Sequence, residues 1–234
     1  MNSKKASTEN HESIHWTIFS QLQHEPAGPV GRSPLAWVSS LGLTDVPCRD
    51  LLPVDRIDRL EVRRICRNLD LPVLFGYVCT MAWGGQGAGT NRGHARTAWA
   101  ERDRIAEALV ALRSGGLSRA ESYALFQKND GIKGLGPSFW TKLLYFFPPE
   151  TDRYIMDQWT AKSVNLITGR KIVQLSGGCP PRTNTPDHYN RFCEEVDRMA
   201  QRLGLKGEQV EEMMMSRGGR KPAPWRQHVR GNTK

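Results

Sequence analysis

The chain has 234 residues, enough for one large domain or for two lobes sharing a cleft, and ample for a hydrophobic core. Thirty-three Lys and Arg against 24 Asp and Glu leave a net charge of +9, a balance that favours a polyanionic partner. The longest apolar run, Leu71 to Trp83, is too short to cross a bilayer, and no charged-then-apolar leader opens the chain, so no membrane association and a cytoplasmic location are expected.

Residues 1–12 are polar and expected to form a flexible N-terminus, followed by a single helical domain over 13–216. An apolar-periodic element opens near Ile14. Ser33 as a cap with Pro34 at the first position predicts a short helix. In PVDRIDRLEVRRICRNLD, Val54, Ile57, Leu60, Ile65 and Leu69 fall near helical spacing, with Arg and Asp facing outward. Leu71 to Trp83 reads as a buried helix. The next stretch, GGQGAGTNRGHART, has five glycines and no large aliphatic residue, so it reads as a loop or linker. It lacks the Gly-Lys-Ser/Thr ending of a nucleotide-binding loop.

Helical periodicity returns through Ile105, Leu109 and Leu112. Ser118 with Glu121 forms a capping-box pattern for another helix. KIVQL, at 171–175, is compatible with a short strand. Two amphipathic helices close the domain, with Met213 to Met215 read as ordinary packing. The fold class expected is all-α. Beyond it, 217–234 form a basic tail with six basic residues and no acid. This tail reads either as a disordered solubilising segment or as a phosphate-binding arm. Five scattered cysteines without a CxxC pair support neither a zinc nor an iron–sulfur site; no metal or other cofactor is expected.

The segment GIKGLGPSF sits between two predicted helices. Gly134 and Gly136 flank Leu135, whose side chain can plug the space between those helices, and Pro137 suits the first turn of the second. Exposed backbone N–H groups beside a helix N-terminus make an anion site, with Lys133 at its rim. A helical hairpin with glycine caps and no ligand accounts for the same residues.

IKGLGPSFWTKLL resembles the helix-hairpin-helix of the DNA glycosylase superfamily that carries a Gly/Pro-rich loop and a catalytic aspartate (HhH-GPD). The resemblance covers residues 118–166. It implies a two-lobed helical fold with a cleft between the lobes, and a loop in which Lys133, Gly134, Leu135, Gly136 and Ser138 bind a DNA phosphate. The family places its aspartate about twenty residues past the hairpin, at the head of the next helix, where Asp157 stands here. Glu150 and Asp152 fit that spacing less well, and an aspartate at this place can also simply cap the helix. Breaking an N-glycosidic bond develops positive charge on the sugar, which an ionised carboxylate stabilises selectively. Bifunctional relatives carry a lysine where this chain has Ser138, which implies hydrolysis by water, as in monofunctional enzymes. Lys142, one turn further on, is the alternative nucleophile.

Such an enzyme flips its target base into a pocket. Candidates for that pocket are Trp83, Gln86, Asn91, Arg92 and Trp159. More loosely, the chain is similar to compact bacterial 8-oxoguanine-glycosylase-like proteins, including phage-defence members that act on hypermodified bases such as glucosylated hydroxymethylcytosine. That implies excision of a modified base from double-stranded DNA by a monomer. The alternatives are a repair glycosylase for an oxidised purine and a helix-hairpin-helix DNA-binding protein without catalysis.

Overall fold

The computed structural model describes residues 13–25, 30–86, 92–215 and 223–233. Among these, every regular element is helical and the fold is all-α. Helix α1 (Ile14–Ser20) buries Trp16 and Phe19. Helix α2 (Pro34–Leu41) begins as the Ser33–Pro34 pair predicts, with Ser33 Oγ accepting from the Ala36 amide at 3.2 Å.

A 3-10 turn, Arg49–Leu51, leads to α3 (Arg59–Arg67), where the structure departs from the sequence reading. Asp58 caps α3, its carboxylate accepting from the Glu61 amide at 2.8 Å, so the helix starts later than the apolar spacing implied. Val54, Leu60 and Leu69 are therefore exposed, and the buried face is Arg59, Val62, Ile65 and Cys66. An arginine expected to face solvent points inward.

Helix α4 (Val73–Trp83) is buried from Phe75 to Trp83, as a helix apolar on all sides must be. It packs against α2, α3, α6 (Arg102–Ser114) and α8 (Pro137–Phe146). Between α4 and α6, α5 (Arg92–Ala100) occupies much of the segment read as loop, because Ala95, Ala98 and Trp99 recur on one face and bury. Helix α7 (Arg119–Leu125) opens with the predicted Ser118–Glu121 capping box. Helices α9 (Gln158–Thr168), α10 (Pro186–Leu203) and α11 (Gly207–Met215) pack on one another.

KIVQL forms no strand. Val173 donates to and accepts from the Asn165 side chain (3.0 and 2.7 Å), and Gln174 does the same with Asn184 (2.8 and 3.0 Å). Two side-chain amides satisfy the backbone groups that a neighbouring strand would otherwise pair. Among the described residues the one β-type pairing is the isolated bridge between Ser176 and Cys179.

Part of the segment read as a basic tail is also folded. Helix α12 (Pro224–Asn232) docks on α9, burying Trp225 and Val229; the Trp225 indole N–H donates to Ser163 Oγ at 2.9 Å. Residues 217–222 lie outside the described residues. Buried hydrophobic side chains form one connected cluster from Trp16 to Val229. Among the described residues, no helix is long and apolar enough to cross a membrane. All five cysteines are free thiols.

Candidate active site

The hairpin is built by α7, the turn over 126–136, and α8. Asn129, Asp130, Gly131 and Gly134 all have positive φ, and the φ of Gly134 is +73°. A Cβ on Gly134 would stand 2.2 Å from the His94 carbonyl oxygen and 2.8 Å from the Ala98 nitrogen, so glycine is required there by contact with α5. Gly136 is different. Its φ is −94° and a Cβ there would meet nothing within 4 Å. Leu135 is fully buried, as expected of a plug, while Lys133 is exposed at the rim. Among the described residues, the Gly134 and Gly136 amides donate to no acceptor.

Arg182, which no sequence signal singled out, ties this turn together. Its guanidinium donates to the carbonyls of Asp130 (3.1 Å), Ile132 and Leu135 (3.0 Å). Gln86 also holds it, donating to the Gly134 carbonyl at 3.2 Å.

Asp157 is the N-cap of α9. Its Oδ1 accepts from the amides of Trp159 (2.7 Å) and Thr160 (3.1 Å), and Thr160 Oγ1 accepts from the Asp157 amide at 2.9 Å. Thr141 on α8 couples this helix start to the hairpin: it donates to the Pro137 carbonyl at 2.8 Å and accepts from the Met156 amide at 3.0 Å. The spacing between hairpin and aspartate is therefore held by hydrogen bonds across α8.

Two cavities meet at Asp157. The larger, about 590 Å³, is a groove over the hairpin, walled by Gly134, Gly136, Ser138, His94 and Arg182 among others. The smaller, about 240 Å³, is walled by Trp83, Met215, Glu25, Arg59 and Glu212 among others. Gly84, Gly85, Lys142 and Asp157 belong to both. Glu150 and Asp152, the other acids near this position, line neither; both are paired with Arg153.

Lys142 is 4 % exposed, its ammonium donating to the Ser138 carbonyl and lying 5.0 Å from the centre of the Phe139 ring. Burial holds it below the ordinary lysine value, against the opposing pull of Asp157 and Glu211. Gly84 makes room for it: a Cβ there would sit 2.6 Å from Lys142 Cδ. Ser138 and Lys142 are thus one helical turn apart on α8, and Lys142 lines both cavities together with Asp157.

Of the pocket candidates, only Trp83 lines the smaller cavity; its indole N–H is buried without an acceptor among the described residues. Gln86 is buried and lines neither cavity, its side chain bonded to the Gly134 carbonyl. Arg92 is exposed at the start of α5 and lines neither cavity. Asn91 lies outside the described residues. Trp159 lines neither cavity; its ring carries cations instead, with Arg226 Cζ 4.5 Å, Arg230 Cζ 5.2 Å and Lys162 Nζ 5.8 Å from its centroid.

The polar wall of the smaller cavity was not anticipated. Arg59 donates to Glu211 and, at 3.4 Å, pairs with Glu212, and its guanidinium stacks 4.0 Å from the Tyr145 ring centre. Burial pushes the Glu211 carboxyl up to about 7, with Arg59 pulling it back. The one hint in the sequence was Arg59 lying three residues before Val62, on the buried face once Asp58 is taken as the cap.

A family model described as "Putative 8-oxoguanine DNA glycosylase OGG-like protein" matches residues 27–215. The match takes in the hairpin, Asp157 and every cavity residue except Glu25, and it excludes α1 and α12. No curated protein and no solved structure matches the chain.

Proposed function

The chain belongs to the OGG-like 8-oxoguanine DNA glycosylase family, and from that premise we propose that it is a monofunctional DNA glycosylase in which Asp157 is the catalytic carboxylate. One observation carries the reading: Asp157 stands where a groove over the hairpin meets a second cavity of about 240 Å³ walled by Trp83. In this reading a strand lies in the groove with one phosphate on the Gly134–Gly136 amides and Lys133. The target nucleotide turns out of the stack and its base enters the smaller cavity beside Trp83. As the C1′–N bond breaks, its electron pair leaves with the base, and the sugar's positive charge develops against the Asp157 carboxylate. Water then adds to C1′ and gives up a proton, leaving an abasic site. The amides of Trp159 and Thr160 at the α9 N-terminus hold the carboxylate in place.

For the base we propose a hypermodified cytosine of the glucosylated hydroxymethyl type, in an anti-phage role, over an oxidised purine. Glu25, Arg59 and Glu212 in the cavity wall supply hydrogen-bonding groups suited to a hydroxyl-bearing substituent. Mass spectrometry of bases released from duplexes carrying damaged, mismatched or hypermodified bases tests this. Free modified base with unbroken strands is the expected result. Tight duplex binding with no base released across the panel would leave a DNA-binding protein without catalysis.

A second reading, in which Lys142 attacks C1′ and forms a Schiff base, is favoured by its burial beside Asp157 and by the burial that lowers its proton affinity. Borohydride trapping decides it: a covalent protein–DNA adduct lost in Lys142→Met establishes the lyase, and no adduct from an actively releasing enzyme rejects it.

The two hairpin glycines give a further test. Gly134→Ala should lose about 2–4 kcal/mol of stability, since a Cβ there strikes α5 in a left-handed backbone. Gly136→Ala should melt within a few degrees of the parent, yet bind duplex DNA on the order of 10-fold more weakly, because its Cβ enters only the space the phosphate would take. Unchanged DNA binding in Gly136→Ala counts against the phosphate site.

A further inference from the structure

Three cations converge on one indole at the edge of the site. Trp159 and Lys162 are three residues apart on α9, and Arg226 and Arg230 are four apart on α12, so each pair shares a helix face. Burial lowers the proton affinity of Arg226 most; Asp157 raises it, and the like charge of Arg230 lowers it further. Among the described residues none of the three is ion-paired with a carboxylate. Arg226 is 8 % exposed, and its Nε has no acceptor among the described residues. The indole face offsets part of this repulsion. Asp157 offsets part of the charge on Arg226, while the described residues give Lys162 and Arg230 no carboxylate partner.

Its position ties it to Asp157. Arg226 donates to the Met215 carbonyl at 2.5 Å, and Met215 walls the smaller cavity. Arg226 also acts electrostatically on Asp157, whose carboxylate accepts from the Trp159 amide. Lys162 reaches Gly178, next to Cys179 in the groove wall: a Cβ on Gly178 would lie 3.3 Å from Lys162 Nζ. The cluster thus borders the α9 N-terminus, next to Met215 of the smaller cavity and next to Gly178 at the groove wall. A strand that sends one nucleotide into the smaller cavity has phosphates on both sides of that nucleotide, and the hairpin accounts for one.

We propose that Lys162, Arg226 and Arg230, gathered around Trp159, form a second phosphodiester site that holds the DNA strand on the side of the flipped nucleotide away from the hairpin. This rests on the glycosylase reading above. Two of its three cations come from α12, beyond the family match, so this half of the clamp is supplied by the C-terminal helix. The basic C-terminal segment acts here as a docked element, with Arg230 exposed at its surface.

The test uses the full chain and a short duplex carrying one tetrahydrofuran abasic-site analogue, titrated over a range of KCl concentrations. The Lys162→Gln/Arg230→Gln double variant leaves buried Arg226 in place. It should keep the parental melting temperature, bind about 10-fold more weakly at low salt, and show a slope of log K against log[KCl] shallower by about 1–2. Restoring charge with Arg230→Lys in the Lys162→Gln background should recover about half of the lost slope. A double variant with unchanged affinity and slope overturns the second site; if Gly136→Ala still weakens binding, the glycosylase reading stands. A parental chain with no salt-dependent duplex binding overturns both.

Discussion

Replacing Asp157 with asparagine is expected to slow base release on the order of 10²–10³-fold while leaving folding and DNA binding intact. In the proposed mechanism the side chain has two separable jobs. As N-cap, Asp157 uses one oxygen to accept from the Trp159 and Thr160 amides. Asparagine caps about as well as aspartate, so α9 should keep its start. What asparagine cannot supply is the negative charge that opposes the charge developing on the sugar. Asp157→Ala is the poorer variant, because it also removes the cap and costs about 1 kcal/mol. Single-turnover base release by Asp157→Asn, beside its duplex affinity and melting temperature, makes the comparison. Release within about twofold of the parent would remove Asp157 from the chemistry and leave it as a helix cap.

The largest stability effect is expected at Arg59. Arg59→Met should destabilise the fold by about 3–5 kcal/mol, since it strands the fully buried Glu211 carboxylate. For a domain of this size that is a fall in melting temperature on the order of 10 °C. The loss should depend on pH in a defined direction. Burial raises the Glu211 carboxyl from 4.5 in the unfolded chain to about 7 in the fold, so the folded state holds the proton more tightly. The stability this group contributes is therefore complete below about 4.5 and lost as pH rises through about 7. Without Arg59 the penalty on the ionised form grows, so the deficit of Arg59→Met should be larger at pH 8 than at pH 5. Glu211→Gln should flatten the parental slope between those values, and Arg59→Met/Glu211→Leu should recover most of the loss. A deficit independent of pH and not recovered in the double variant would contradict this account. Because Arg59 also walls the smaller cavity, base release measured below the melting transition separates its effect on substrate from its effect on folding.

Much of the site's local chemistry was legible in the residue order. The Ser33, Ser118 and Asp157 caps are bonds to amides two or three positions away, so spacing alone exposes them. The hairpin is similar: Leu135 between two glycines and Pro137 at the head of α8 are local requirements, and the structure realises both. Where the reading failed, a local pattern competed with a remote partner. Val54, Leu60 and Leu69 have helical spacing, but Asp58 starts α3 on another face and turns Arg59 inward to Glu211, 152 positions away. KIVQL has strand composition, but Asn165 and Asn184 occupy its backbone groups.

By itself, then, the sequence determined the all-α class and the caps that open α2, α7 and, with Asp157, α9, because periodicity and capping depend on residues within a few turns of chain, and its motifs carried the family. Only the tertiary structure decided which side chains meet that aspartate. It put Lys142 as well as Ser138 in the groove wall with Asp157, brought Arg59, Glu212 and Glu25 into one cavity wall, and set the Trp159 ring against cations of α9 and α12 rather than in either cavity. Those meetings depend on how α3, α8, α9, α11 and α12 pack. Packing is set by the summed burial of side chains far apart in the chain, which spacing along the sequence does not encode.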